Sequence, residues 1–268
     1  MNFHVAAYSE SLGSVTNSDV NAASDDVLQR RNSHLIFSEP FNLIAAYGSS
    51  TTLTVARFGN VALTQIGTNH IWPLDRTDTI QRYPAVMDLR HMPMQMPQNE
   101  ELTIEATTDA VGPVIANFLL WLAKPQWSKN LPQGMRVLTT RATCVIAAGA
   151  ASSWTALSAL VMERDLLNGV YAVVGANVVA ANAVAFRLFF PNQPLVGGRQ
   201  LRPGGLVMNT VGLAPWDGQS KGLGEWGRFH TFEPPMLQVF EDTAGGTYEV
   251  RLELVYLGPE LSLLMTGL

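Results

Sequence analysis

The chain has one cysteine, Cys144, among 268 residues, so no internal disulfide can hold it together. The apolar neighbours Ala142, Val145 and Ile146 point to a buried thiol rather than a nucleophile. A fold without crosslinks is consistent with cytoplasmic synthesis. Charge is also scarce: Asp, Glu, Lys and Arg make up 15% of the residues, and the net charge is −5. Arg30 and Arg31 are the only adjacent basic pair. With no dense Lys/Arg run to neutralise phosphates, direct sequence-specific nucleic-acid binding is not expected. The opening "MNFHVAAYSESLG" lacks the basic start and apolar core of a secretory signal, so no secretion is expected.

Signatures of chemistry are missing as well. There is no G-x-S-x-G elbow, phosphate loop or dinucleotide fingerprint, and "GGRQLRPGG" lacks the Lys-Ser/Thr ending of a P-loop. His4, His34, His70, His91 and His230 are scattered, none with a second His or a Cys at ligand spacing. Asp88 and His91 in "MDLRHM" come nearest to a ligand pair, short of the cluster that a metal-binding β-barrel enzyme needs. Asp75 with Asp78, and Glu100 with Glu101, read as solubilising surface carboxylates. No catalytic residue, metal ligand or cofactor site is therefore expected. Two windows, 142–162 and 166–186, carry no charge, but they are rich in Ala, Ser, Gly and Asn, and Asn168, Asn177 and Asn182 would each need a partner in lipid. Soluble strands fit them better than membrane spans.

What the sequence does hold is apolar material: 47% of the residues are hydrophobic, a share typical of chains that hide surface in partners. It comes in short β-prone runs, such as "NLIAAYG", "TTLTVARF" and "VALTQIG", broken by Gly and Asn turns about every ten residues. That rhythm predicts an all-β sandwich or barrel. Residues 1–33 are polar and read as an N-terminal arm or edge segment, with a short helix over "DDVLQRR" capped by Ser24. Residues 34–126 form a first domain, 127–134 in "PQWSKNLPQG" a linker, and 135–268 a second domain with a C-terminal tail. Over Ser153 to Asn168 a helix ended by Gly169 competes with a strand over Thr155 to Met162. Met92, Met94 and Met96 alternate as if packing against a strand face.

One segment is written twice. "LTIEATTDAVGPVIANFLLWLAKP" at 102–125 aligns without a gap to "MLQVFEDTAGGTYEVRLELVYLGP" at 236–259, an offset of 134, half of the chain. The identities are Ala110 with Ala244, Gly112 with Gly246, Leu120 with Leu254 and Pro125 with Pro259. Each copy runs strand, polar turn, longer strand, proline, and reads as a hairpin; Gly245 and Gly246 suit a tight one. In the second copy Tyr248, Val250, Leu252, Leu254 and Tyr256 alternate with charged residues, as in a half-buried strand. In the first, Val114 to Leu122 is apolar on both faces, as for a strand covered on both sides by the other half of the molecule. A fainter echo links "HIWPLDR" with "LFFPNQPL".

Two β-rich halves with this echo, the "PQWSKNLPQG" join and the "FFPNQP" turn resemble a double jelly-roll major capsid protein of tailless icosahedral double-stranded DNA viruses, the lineage of tectiviruses, corticoviruses and adenoviruses. The resemblance covers about residues 34–260 and is architectural. It implies two jelly-roll β-sandwiches in tandem, with long loops in the second. It further implies a homotrimer tiling a virion capsid lattice around a membrane vesicle or genome beside other virion proteins, and no catalysis. The alternatives are another virion component such as a penton or spike, a trimeric carbohydrate-binding module, and a cupin-like enzyme. The second half carries extra glycine-rich length from Gly197 to Phe232, and its Trp216, Trp226 and Phe229 are expected at a subunit interface.

Overall fold

The apolar runs "NLIAAYG" and "TTLTVARF" become strands whose hydrogen bonds are completed by neighbours. A computed structural model describes residues 3–13, 17–25, 27–50, 52–59, 69–71, 86–109, 112–124, 137–163, 165–180, 183–192, 200–207, 224–240 and 243–264. Among the described residues the chain is all-β, arranged in four antiparallel sheets, and the one helical element is a 3-10 turn at Leu261–Leu264. It divides into an N-terminal unit, Val5–Pro125, and a C-terminal unit, Gln126–Leu268 together with Met1–His4.

The N-terminal unit uses β1 (Phe3–Leu12, of which Phe3 and His4 belong to the C-terminal unit), β2 (Ser18–Val20), β3 (Gln29–Arg31), β4 (His34–Ile36), β5 (Phe41–Ser49), β6 (Leu53–Gly59), β7 (Asn69–His70), β8 (Met87–Asp88), β9 (Met94–Met96), β10 (Glu101–Thr108) and β11 (Val114–Ala123). One sheet runs β1-β11-β5-β8, with β9 also on β5; the other runs β3-β4-β10-β6-β7, with β2 also on β10. Strand β10 alternates, burying Leu102, Ile104, Ala106 and Thr108. Strand β11 is buried continuously from Ala116 to Ala123. The fully buried Tyr8 on β1 spans the interior between the sheets: its hydroxyl donates to Leu102 O at 2.6 Å and accepts from the Leu35 N–H at 3.3 Å. Burial pushes its phenol well above the usual range, so it stays protonated and both its hydrogen bonds are made.

The C-terminal unit uses β12 (Val137–Ile146), β13 (Ser158–Ala159), β14 (Val161–Met162), β15 (Val170–Val179), β16 (Ala185–Phe189), β17 (Gly204–Leu206), β18 (Gly227–His230), β19 (Met236–Phe240) and β20 (Gly246–Gly258). Its sheets run β14-β12-β20-β15-β18 and β13-β19-β16-β17. Strands β16 and β17 approach so closely that a Cβ on Gly204 would lie 1.9 Å from Phe186 O, which only glycine permits.

The two units repeat one strand order. β11 lies between β1 and β5 as β20 lies between β12 and β15, and β10 lies between β4 and β6 as β19 lies between β13 and β16. Even a bulge recurs. Pairing with β11 shifts between Trp121 and Leu122, leaving Ile44 of β5 as the extra residue; pairing with β20 shifts between Val173 and Gly175, leaving Val174 of β15. The echoing segments thus occupy equivalent places, but neither is a hairpin. In each, the first strand belongs to one sheet and the second to the other. The glycine turn is real, with Gly245 at φ 69°, yet it joins strands that hydrogen-bond to different neighbours.

Other expectations are corrected. Residues 3–33 are no arm: they hold β1 to β3, and β1 buries Phe3, Val5, Ala6, Ala7, Tyr8 and Leu12, apolar side chains set among polar ones. No helix follows Ser24; Asp25 Oδ1 instead accepts from the N–H groups of Val27 and Leu28 at 2.7 and 3.1 Å, a local turn leading into β3. Over 153–168 the strand reading holds in fragments, with a bridge at Trp154 followed by β13 and β14. The fainter echo does not fall on equivalent strands, since β7 sits at a sheet edge while β16 lies between β19 and β17. Residues 127–134 lie outside the described residues.

Candidate functional site

Three groups of side chains stand out in the C-terminal unit: the aromatics expected at an interface, a buried polar cluster, and an exposed apolar patch. Trp226 is fully buried, edge-on to Phe3 at 5.4 Å and stacked on Phe186 at 6.2 Å. Phe229 is buried too, stacked on Tyr171 at 5.9 Å. Their apolar area is already covered inside the unit and offers nothing to a neighbouring subunit, which corrects the expectation for both. Trp216 lies outside the described residues. The expectation failed because sequence shows glycine-rich surroundings but not the register that seats β18 beside β15, where Tyr171 meets Phe229.

The polar cluster is built on paired strands. Arg187 on β16 stands opposite Gln238 on β19, and its Nε donates to Gln238 Oε1 at 2.9 Å. Arg202 Nη1 donates to the same oxygen. Gln238 Nε2 donates to Thr155 O at 2.7 Å, and Thr155 Oγ1 accepts from the Val239 N–H at 3.1 Å. The Arg187 guanidinium lies 4.1 Å over the Trp154 ring. The backbone N–H of Arg202 donates to Nδ1 of the buried His4 at 3.1 Å. Both arginines are thus engaged in internal contacts that clamp β16, β19 and the 154–155 segment together. Nothing in the sequence signalled the cluster, because its members are far apart in the chain.

The patch is made by three chain segments that meet at one end of the sheet containing β15, β18 and β20. Tyr256 OH donates to Asn168 O at 3.2 Å, Thr231 Oγ1 donates to Asn168 Oδ1 at 3.1 Å, and Arg228 Nη1 donates to Leu263 O at 2.7 Å. These bonds tie together the segments that carry Leu167, Phe232, Tyr256 and Leu261, which remain 73%, 67%, 39% and 55% exposed. Asp165 and Glu260 on the same segments are exposed as well. Large apolar side chains grouped on a surface mark contact sites, whereas single ones do not.

No group of three or more His, Cys, Asp or Glu placed to hold a metal exists among the described residues. Asp88 is engaged by Arg90, whose Nε donates to Asp88 Oδ1 at 2.9 Å and whose Nη2 donates to Oδ2 at 2.6 Å, and this pair holds the carboxyl below its ordinary range. Cys144 is a buried free thiol, and burial pushes it up to about 11. No helix among the described residues is long and apolar enough to cross a membrane.

What the described residues define is an all-β protein of antiparallel sheets, with exposed apolar side chains at one end of a sheet in its C-terminal unit. No protein-family model and no curated protein matches the chain. Among solved structures it is similar to the major capsid protein P2 from bacteriophage PM2, with 11% identity, covering 91% of this chain and 98% of that chain at a TM-score of 0.23.

Proposed function

We propose that this chain is a structural virion protein, a major capsid subunit of the double jelly-roll kind that forms trimers and tiles a closed shell, with no catalysis of its own. One observation carries the reading: each unit has the order first-last-third-sixth in one sheet and second-penultimate-fourth-fifth in the other, if the short pieces β2 to β4 and β8 to β9 are counted as one strand each and β14 as an edge addition. That order is the signature of an eight-stranded jelly roll wound as two Greek keys. Its occurrence twice in one chain supports the double form. The apolar composition and the exposed patch agree with a subunit that buries surface in assembly.

The test is the mass of the purified full chain by light scattering over a range of concentrations, followed by electron microscopy of the heaviest fraction. Trimers, or closed shells whose walls show trimeric tiles, are the expected result. A protein that remains monomeric at every concentration overturns the reading.

A further inference from the structure

We infer that the exposed patch formed by Leu167, Phe232, Tyr256 and Leu261 docks the Arg30–Arg31 turn of a second copy of this chain, an inference that rests on the assembly reading above. Two aromatic rings, two leucines and the exposed carboxylates of Asp165 and Glu260 share this end of the C-terminal unit. A guanidinium suits such a surface: its plane stacks on an aromatic face while its N–H groups bond a carboxylate, and it sheds water more readily than an ammonium. The nearby cation Arg228 is committed inside the unit to Glu225, at 2.6 Å, and to Leu263 O.

The chain's only adjacent basic pair is presented to match. Strand β3 is exposed along its whole length, Gln29, Arg30 and Arg31. It is held against β4 by pairing of Arg30 with Leu35 and Arg31 with His34, across a turn in which Asn32 takes φ 54°. The Arg31 side chain stays 64% exposed even beside Glu101 at 3.3 Å. A short hairpin stiffened in this way loses little entropy on docking. Patch-to-patch contact between two copies would instead bring like-charged rims together, which is unfavourable. A contact joining unlike surfaces is heterologous, and heterologous contacts generate rings and extended arrays.

Sedimentation velocity of the full chain at rising concentration tests this, with circular dichroism and thermal melts confirming that each variant folds. Leu167→Ser with Phe232→Ser, and separately Arg30→Glu with Arg31→Glu, should each raise the concentration at half-assembly by about tenfold or more, with melts unchanged. Adding Asp165→Lys and Glu260→Lys to the arginine variant should bring it back to within about threefold of the unmodified protein. Should the serine pair disturb the melt, Leu261→Asn alone serves in its place. Either variant assembling like the unmodified chain overturns the inference, as does a charge exchange that fails to recover assembly or recovers the melt of a monomer only. If the unmodified chain never assembles, the capsid reading falls as well; if it assembles and the variants do too, this inference alone falls.

Discussion

At the scale of single residues, burial decides what each notable side chain can do. Trp226 sits between Phe3 and Phe186 with no exposure, so Trp226→Ala should lower stability by about 3–5 kcal/mol in urea unfolding, the cost of an emptied aromatic site. If the same substitution left stability untouched and only reduced assembly, the core placement would be refuted. Cys144, 1% exposed and with its thiol pushed up to about 11, should resist alkylation in the native protein at pH 8 and react stoichiometrically once denatured. Rapid native labelling would contradict that placement. This burial was readable from the apolar neighbours of Cys144. That of Trp226 was not, because its cover comes from Phe3, more than two hundred residues away in sequence.

At the scale of elements, β20 shows where pattern reading succeeds and where it stops. Its alternation places Tyr248, Val250, Leu252 and Leu254 inside, as the sequence indicates, but Val255 is buried and Tyr256 is exposed. Register against β15 shifts on either side of this point, between Val173 and Gly175 and between Val170 and Tyr171, an event that involves the partner strand and that the β20 sequence does not carry. The opposite face is a charge ladder: Arg141 on β12 faces Glu249 at 3.1 Å and Glu163 at 3.2 Å, and Arg251 lies 2.8 Å from Glu249. Arg251, then Arg141, hold the Glu249 carboxyl below its ordinary range. A depressed folded value means that this stabilisation is present above the unfolded carboxylate value and is lost as pH falls through the folded one. Acid titration of thermal stability should therefore show Glu249→Gln losing stability near neutral pH while converging on the unmodified protein in strong acid. Parallel curves across the whole range would show that the ladder contributes nothing.

At the scale of the whole molecule, the repeated strand order turns an internal echo of four identities into a statement about architecture. The expected mass increase on concentration should be weakened, but not abolished, by added salt. Arginine–carboxylate contacts are screened, whereas buried apolar area is not. Assembly indifferent to salt would argue that the charged rim takes no part. The bulges at Ile44 and Val174 add a second correspondence that no alignment of the two halves would reveal, because a bulge is defined by the strand opposite.

The sequence alone determined the all-β class, the repetition of the 102–125 segment at 236–259 and the inertness expected of Cys144. These depend on local periodicity, turn residues and near neighbours, which the chain carries in its own order. Tertiary structure decided the rest: that residues 3–12 form a buried strand, that the echoing pairs bridge two sheets rather than form hairpins, that Arg187, Gln238 and Arg202 meet, and that Leu167, Phe232, Tyr256 and Leu261 share one exposed end. Each of these turns on which distant strand lies alongside. Strand partnership is fixed by the combined burial of both faces of a sheet, a quantity that no single segment contains.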